Sequence, residues 1–339
     1  MASKEMCISM GGQYGYQEVR IYQSEDSLLG TGSYGNVVKA KLDDLACAAK
    51  ILHQVIFTGK SIVSRFDQEC TILRDLKHPN IVQFLGMVND PSSGHLILLM
   101  EMMQQSLTQF LELPPKLLPF YLQVNISHDI ALAVAHLHRN RILHRDLSSN
   151  NILMTKGCQA KVTDFGMAKI AESNRSMTRS RVTQCPGTLV YMPPEALLTA
   201  PRYSEKLDIF SLGVLLIQIM TKKFPSPTNA QITIEDDRSP TGEIIVPVEE
   251  VKRRKADIET IPKSNALLPV ALSCLKDKHQ ERPDAVQLCQ CIEALKTTPA
   301  HVESSTQHSD LPSTCSPSSS PSAGQVEEEV NDIRPPIYA

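Results

Sequence analysis

Glycines at positions 30, 32 and 35, with Val37 two residues on, form a G-x-G-x-x-G-x-V pattern that narrows the possible folds more than any other stretch of the chain. Glycines let a backbone approach phosphates closely and offer them N–H donors. A dinucleotide-binding fold with the same glycine spacing needs a helix directly after the loop. Here Val37, Val38, Lys39 and Ala40 follow, which reads as a strand. The pattern therefore predicts a strand, a glycine loop and a second strand. An ordinary hairpin turn shares that description, so the loop alone does not fix a function. A dinucleotide-dependent oxidoreductase fails on the strand after Gly35.

The chain has 339 residues, of which 42% are hydrophobic, enough for about two folding units. Its net charge of −3 gives no basic field for nucleic acid. The longest apolar run, Ser211 to Met220, is interrupted by Gln218 and is shorter than the ~20 residues of a membrane span. The first residues carry no apolar leader segment and no glycine at position 2, so neither secretion nor myristoylation is expected. Nine dispersed cysteines without C-x-x-C pairing suit reduced thiols and a cytoplasmic location.

Residues 1–19 are Gly-rich and read as a loose segment. From Val19 to about Met103, short β-rich runs are broken by one helix, and His95 to Glu101 is apolar enough for a buried strand. From about Ser106 to Ala294 the pattern is helical. Ile126, Ile130, Ala133, Val134 and Leu137 recur at helical spacing, and Leu212 to Met220 is apolar almost all round. Asp208 stands at the start of that second helix, where a carboxylate can accept backbone N–H groups. Beyond about residue 297, Ser, Pro, Thr and acids dominate, and such a tail cannot bury enough apolar surface to order itself.

Lys50 ends a small-residue strand, Ala46 to Ala49. Phe66, Cys70 and Leu73 form an apolar helical stripe with Glu69 in its middle. A lysine and a carboxylate on inward faces each need a partner, and a Lys50–Glu69 pair answers both needs. Two surface residues that never meet remain the alternative.

His144, Arg145, Asp146, Leu147 and Asn151, followed by Asp164, Phe165 and Gly166, resemble the H-R-D-L-x-x-x-N and D-F-G elements of the protein kinase superfamily. The likeness runs in order from about residue 22 to 296. It implies an α+β, bilobal kinase fold: a β-rich N-lobe over 20–103 and a helical C-lobe over 104–297, between a flexible N-terminus (1–19) and a disordered tail (298–339). It also implies ATP and Mg2+. Gly30, Gly32 and Gly35 would cover the phosphates, with Leu29 in the ATP-binding set. Lys50 would hold the α- and β-phosphates, oriented by Glu69. Asp146 would accept the substrate proton, and Asn151 and Asp164 would hold magnesium. Val37, Ala48 and Leu153 would sandwich the adenine, Met100 would be the gatekeeper, and Glu101 and Met103 would offer hinge backbone. Glu195, in an A-P-E-like stretch, would pair with Arg282. Asp208 to Gly213 resembles the helix that anchors the catalytic loop.

The stretch His144 to Asn151 is most like the tyrosine-kinase-like group of serine/threonine kinases. Ser148 stands where serine/threonine kinases usually carry lysine, and a serine cannot neutralise a γ-phosphate. Thr188, in a G-T-x-x-Y pattern, implies contact with the catalytic Asp and favours Ser/Thr transfer. Dual or tyrosine specificity, and a pseudokinase scaffold that binds without transfer, stay open. Arg145 implies a pocket for an activation-loop phosphate, with Ser173, Ser176, Thr178, Ser180 and Thr183 as candidates among Arg175, Arg179 and Arg181. Lys252 to Lys255 reads as a solvated helix face rather than a nuclear-localisation cluster. Pro335, Pro336 and Tyr338 match a P-P-x-Y ligand for a WW domain. Protein substrates are the expected partners.

Overall fold

The computed structural model describes residues 3–9, 14–22, 24–32, 35–52, 74–89, 95–164, 190–197, 204–225, 232–235, 243–246 and 257–297. The N-terminal half forms an antiparallel sheet of seven strands: β1 (Ser3–Ser9), β2 (Tyr14–Ile21), β3 (Leu28–Gly32), β4 (Gly35–Leu42), β5 (Leu45–Leu52), β6 (Phe84–Asn89) and β7 (Leu96–Glu101). Their order is β2-β1-β6-β7-β5-β4-β3, and β2 also pairs with β4. One half of β4 lies against β3, with Gly32 opposite Gly35. The other half lies against β2, with Val19 opposite Leu42. Six strands thus close into a ring, β1-β2-β4-β5-β7-β6.

Alternation along the strands sorts side chains between the ring's core and the cleft below it. Val38, Ala40 and Leu42 of β4 join Cys47, Ala49, Val88, Ile97 and Leu99 in one buried cluster. Ala48 faces the other way and belongs to the cluster of the cleft. The expected strand–loop–strand around the glycines is present as β3 and β4. A Cβ on Gly35 would lie 2.0 Å from the Ile51 carbonyl oxygen, so the close approach of β4 to β5 requires glycine there.

The first residues differ from expectation. Read as loose for their glycines, they instead contain β1 and β2, and Gly11 and Gly12 stand between the two strands in sequence. Ile8 and Ser9 pair with Val88 and Met87 of β6, so pairing partners far along the chain outweigh the local flexibility of glycine.

The C-terminal half opens with β8 (Gln105–Ser106), α1 (Leu107–Glu112) and α2 (Phe120–Arg139), followed by β9 (Ile152–Met154) and β10 (Ala160–Val162). Then come α3 (Lys206–Thr221), the hairpin β11 (Ile232–Glu235) and β12 (Glu243–Val246), α4 (Leu267–Cys274) and α5 (Ala285–Lys296). Capping boxes at Ser106/Gln109 and Asp284/Gln287 start α1 and α5. The α2 stripe expected from Ile126 to Leu137 is fully buried, and α3 is buried on every side. A Cβ on Gly213 would sit 2.6 Å from Cys274 Cβ, so glycine lets α4 press against α3.

The strands β9 and β10, which form a small sheet with β8, lie inside the region whose pattern reads as helical. Strands of two or three residues are too short to leave a period-2 signal. Among the described residues, no helix is long and apolar enough to cross a membrane. The lobes meet behind the cleft, where Ile81 bridges Val162 in parallel and the Val82 amide donates to the Val162 carbonyl at 2.9 Å.

Candidate active site

The cleft between the lobes is lined by apolar side chains from both. Leu29, Ala48, Val82, Met103 and Leu153 are buried together, with Val37, Met100 and Met102 packed on them. Ala48 on β5 and Met100 on β7 are register partners, which puts the small side chain and the large one at one level of the cleft. The expected set Leu29, Val37, Ala48, Met100, Met103 and Leu153 is therefore brought together. Val82, Thr163 and Asn150 also line the cleft and were not anticipated. Ile81 and Val82 form an apolar pair directly after Asn80 and could have drawn attention, but nothing local says which face they cover.

Glu101 divides its roles. Its backbone N–H donates to the Gln83 carbonyl at 3.0 Å. Its carboxylate accepts from the Gln83 amide at 2.7 Å and from Lys161 Nζ at 2.7 and 2.8 Å.

At the inner end, Lys50 is buried and its Nζ lies 2.7 Å from Asp164 Oδ2. The expected partner Glu69 lies outside the described residues. A buried ammonium beside a carboxylate is the arrangement that low-dielectric surroundings demand of either group.

The loop carrying Asp146 is held from below. Asp208 is fully buried near the start of α3, but its carboxylate does not cap its own helix as expected. Oδ2 accepts the His144 amide at 2.9 Å and His138 Nε2–H at 2.8 Å, and Oδ1 accepts the Arg145 amide at 2.8 Å. Burial pushes this carboxyl up, but His138, His144 and the Arg145 amide outweigh it and hold it below the ordinary range. Arg145 has φ 66° and Asp164 φ 62°, left-handed values that cost a side-chain-bearing residue about 1 kcal/mol or more. The Asp208 clamp on two successive amides fixes the first of them. His144 Nε2–H donates to the Thr163 carbonyl at 2.8 Å while its Nδ1 accepts the Asp146 amide at 3.3 Å, which sets its tautomer. One imidazole thus ties the loop to the strand end leading to Asp164.

Asp146 accepts from Asn151 Nδ2 at its carbonyl oxygen (2.7 Å) and at Oδ2 (3.2 Å). Its Oδ1 is shut off from solvent and has no hydrogen-bond partner among the described residues. Burial raises the Asp146 carboxyl to about 6, the neighbouring Asp164 charge adds to this, and His144, Asn151 and Lys50 oppose it. An unpartnered buried carboxylate oxygen with a raised pKa is a group poised to accept a proton.

Ser148 is buried, and its carbonyl accepts the Asn151 amide at 3.0 Å. Ser149 Oγ meets Thr108 Oγ1 at 2.6 Å and Tyr191 OH at 3.0 Å, and accepts from Gln218 Nε2 at 3.2 Å. Tyr191 OH donates to Gln218 Oε1 at 2.6 Å, and Thr108 Oγ1 donates to Asn150 Oδ1 at 2.5 Å. These contacts join α1, the 144–151 loop, Tyr191 and α3. Arg282 is fully buried and grips Glu195 with both Nη atoms, at 2.5 and 3.1 Å, as the sequence led one to expect. Gly166, the candidate phosphosites Ser173, Ser176, Thr178, Ser180 and Thr183, Thr188, the Lys252–Lys255 cluster and the Pro335–Tyr338 motif lie outside the described residues.

The donor set fits a phosphorylated ligand with a hard divalent cation. Asp164 and Asn151 could supply oxygen ligands, Lys50 carries positive charge, and Asp146 Oδ1 has no hydrogen-bond partner among the described residues.

The chain matches the family model described as the protein kinase domain over residues 23–291. It is 30% identical to the LRR receptor-like serine/threonine-protein kinase FEI 2 of Arabidopsis thaliana over 291 residues, 81% of this chain and 46% of that protein. It is 30% identical to the dual specificity protein kinase shkC of Dictyostelium discoideum over 203 residues, 59% of this chain and 39% of that one. With the mouse serine/threonine-protein kinase TNNI3K it shares 32% identity over 200 residues, 58% and 24% of the two chains. The chain spans under half the length of these curated relatives.

Proposed function

The chain belongs to the protein kinase family, resembling its tyrosine-kinase-like members, and from that premise we propose that it transfers the γ-phosphate of ATP to serine and threonine hydroxyls of other proteins. The observation that carries this reading is Asp146: a raised carboxyl with one oxygen buried and unpartnered, beside the Lys50–Asp164 pair.

In this mechanism the adenine lies among Leu29, Val37, Ala48, Val82 and Leu153, below Met100, and meets the Glu101 carbonyl and Met103 backbone. Gly30, Gly32 and Gly35 lie over the phosphates. Lys50, oriented by Glu69, neutralises the α- and β-phosphates. Asn151 and Asp164 would hold a divalent cation, which we assign as Mg2+, and its charge would offset that of the phosphates. The Asp146 carboxylate accepts the hydrogen bond of the substrate hydroxyl, orients its oxygen for attack and takes up the proton. Phosphoryl transfer needs positioning and charge neutralisation more than covalent help, and this set supplies both.

Serine/threonine specificity is supported by Thr188 in its G-T-x-x-Y setting and by the names of FEI 2 and TNNI3K. The dual-specificity name of shkC and the uncharged Ser148 favour broader acceptance as the second reading. The test is phosphoamino-acid analysis after incubation with Mg-ATP and mixed acceptor proteins. Phosphoserine and phosphothreonine are expected, with none in an Asp146→Asn control. Bound ATP without any transfer would instead mark a scaffold.

Because Asp146 acts as its carboxylate, kcat/KM is expected to fall about tenfold per pH unit below pH 6 and to level off above it. A profile flat from pH 5 to 7 would remove Asp146 from the role of base. Regulation by phosphate on Ser176, Thr178, Ser180 or Thr183 belongs to the same reading, with phosphopeptide mapping of active enzyme as its check. So does WW-domain binding at Pro335–Tyr338, for which titration of a tail peptide decides. A cytoplasmic location is supported by the nine dispersed cysteines, which show no C-x-x-C pairing.

A further inference from the structure

Lys161 lies on β10 between the buried Ala160 and Val162, three residues before Asp164. Its side chain runs to the back of the cleft and lies on both oxygens of Glu101, the last residue of β7 and the first of the connection between the lobes. Glu101 is itself fastened to the segment that carries Val82: its amide donates to the Gln83 carbonyl, and its Oε1 accepts the Gln83 amide. One carboxylate therefore joins three pieces of backbone that enclose the adenine end of the cleft: the end of β7, the 80–83 segment and β10. Both side chains are mostly buried, at 15% and 28% exposure, so water screens the pair less than a surface one.

We propose that Lys161 is a positioning residue for the nucleotide base: through the Glu101 carboxylate it fixes the strand end whose carbonyl meets the base, and with it the distance between β7 and the strand leading to Asp164. This rests on the reading that the cleft takes ATP. Without the ammonium, the Glu101 carboxylate keeps, of the two donors given above, only the Gln83 backbone N–H and can swing toward solvent. Glu101 then no longer sets the angle at which its own carbonyl enters the cleft. The chemistry at Asp146 and Lys50 is untouched, because neither contacts Lys161 in this arrangement. Loss of Lys161 thus acts on binding rather than on the transfer step.

The test is calorimetric titration of the full chain with Mg-ATP, paired with KM and kcat for ATP. Lys161→Met is expected to weaken ATP binding about 3- to 10-fold and to raise KM equally, while kcat at saturating ATP shifts less than twofold. Lys161→Arg, which keeps a cation on the carboxylate, restores affinity to within about twofold. Glu101→Gln weakens binding by a similar factor and adds nothing in the Lys161→Met background, since both remove one interaction. A mere contribution to fold stability would lower the unfolding temperature without this split between KM and kcat or this non-additivity. Unchanged affinity in Lys161→Met, or a loss confined to kcat, overturns the inference while leaving the ATP reading intact. Failure of the unaltered chain to bind Mg-ATP overturns both.

Discussion

Asp146→Asn is expected to abolish transfer and at the same time to make the protein harder to unfold. The loss follows from the task proposed for the group. A positioned base contributes ~10²–10⁴-fold, and a carboxamide of the same shape cannot take up the proton. The gain follows from the same burial that makes the residue useful. The folded carboxyl titrates near 6, above the ~3.9 of an unfolded chain. The folded state therefore binds a proton that the unfolded state has already released. Stability attributable to this residue is greatest below pH 4, falls as pH rises from 4 through 6, and is lowest above that. Two pKa units correspond to at most about 3 kcal/mol, and partial exposure of the residue and the amide's own unmet donor reduce it, so a gain of about 1–2 kcal/mol is expected at pH 7.5. Denaturant unfolding of both proteins at pH 7.5 and 4 checks this. The two curves should separate at the higher pH and converge at the lower. Equal stability at both would mean that the Asp146 carboxylate is not held at a cost.

Asp208→Ala acts in the opposite direction and should be the most damaging single change in the large lobe. It removes the acceptor of three buried donors, the His144 and Arg145 amides and His138 Nε2–H. Each unsatisfied buried donor costs about 1–3 kcal/mol, so a loss of about 3–5 kcal/mol is expected. The left-handed φ of Arg145 loses its restraint as well, so the loop should open and transfer should fall with stability. Amide hydrogen exchange at His144 and Arg145 reads this directly, and full protection of both in the variant would refute it. The pH dependence has the reverse sign to that of Asp146. The folded carboxyl is depressed, so its stabilisation is present above the ordinary carboxylate range and is lost as pH falls through the lower, folded value. Acid should therefore release the catalytic loop from α3.

These two carboxylates also mark how far the sequence could be read. Asp146 was singled out through the resemblance of its neighbours to a kinase motif, and the buried stripe of α2 through helical periodicity. That the helix starting at Asp208 anchors the loop came through the family resemblance alone; the donors themselves were not legible, because they lie 63 to 70 residues away and the helix start suggested a local cap. The Lys50–Asp164 contact spans 114 residues and Lys161–Glu101 spans 60. No periodicity encodes such meetings, which depend on how finished elements pack. Val82 was missed for a related reason: an apolar residue between elements has no face until the lobes meet. The N-terminal strands were missed because their pairing partners, β4 and β6, come later in the chain than the glycines that suggested looseness.

The closed ring of the small lobe separates two boundaries that usually coincide. The stretch that matches the family begins at residue 23, whereas β1 and β2 end at Ile21. A fragment cut at residue 23 would keep the whole stretch that the family model matches and still lack two of the ring's six strands. Part of β6 would then present bare N–H and C=O groups, an invitation to pair with another molecule. The stretch that the family model matches and the stretch that this chain needs to close its own sheet are therefore different lengths of polypeptide.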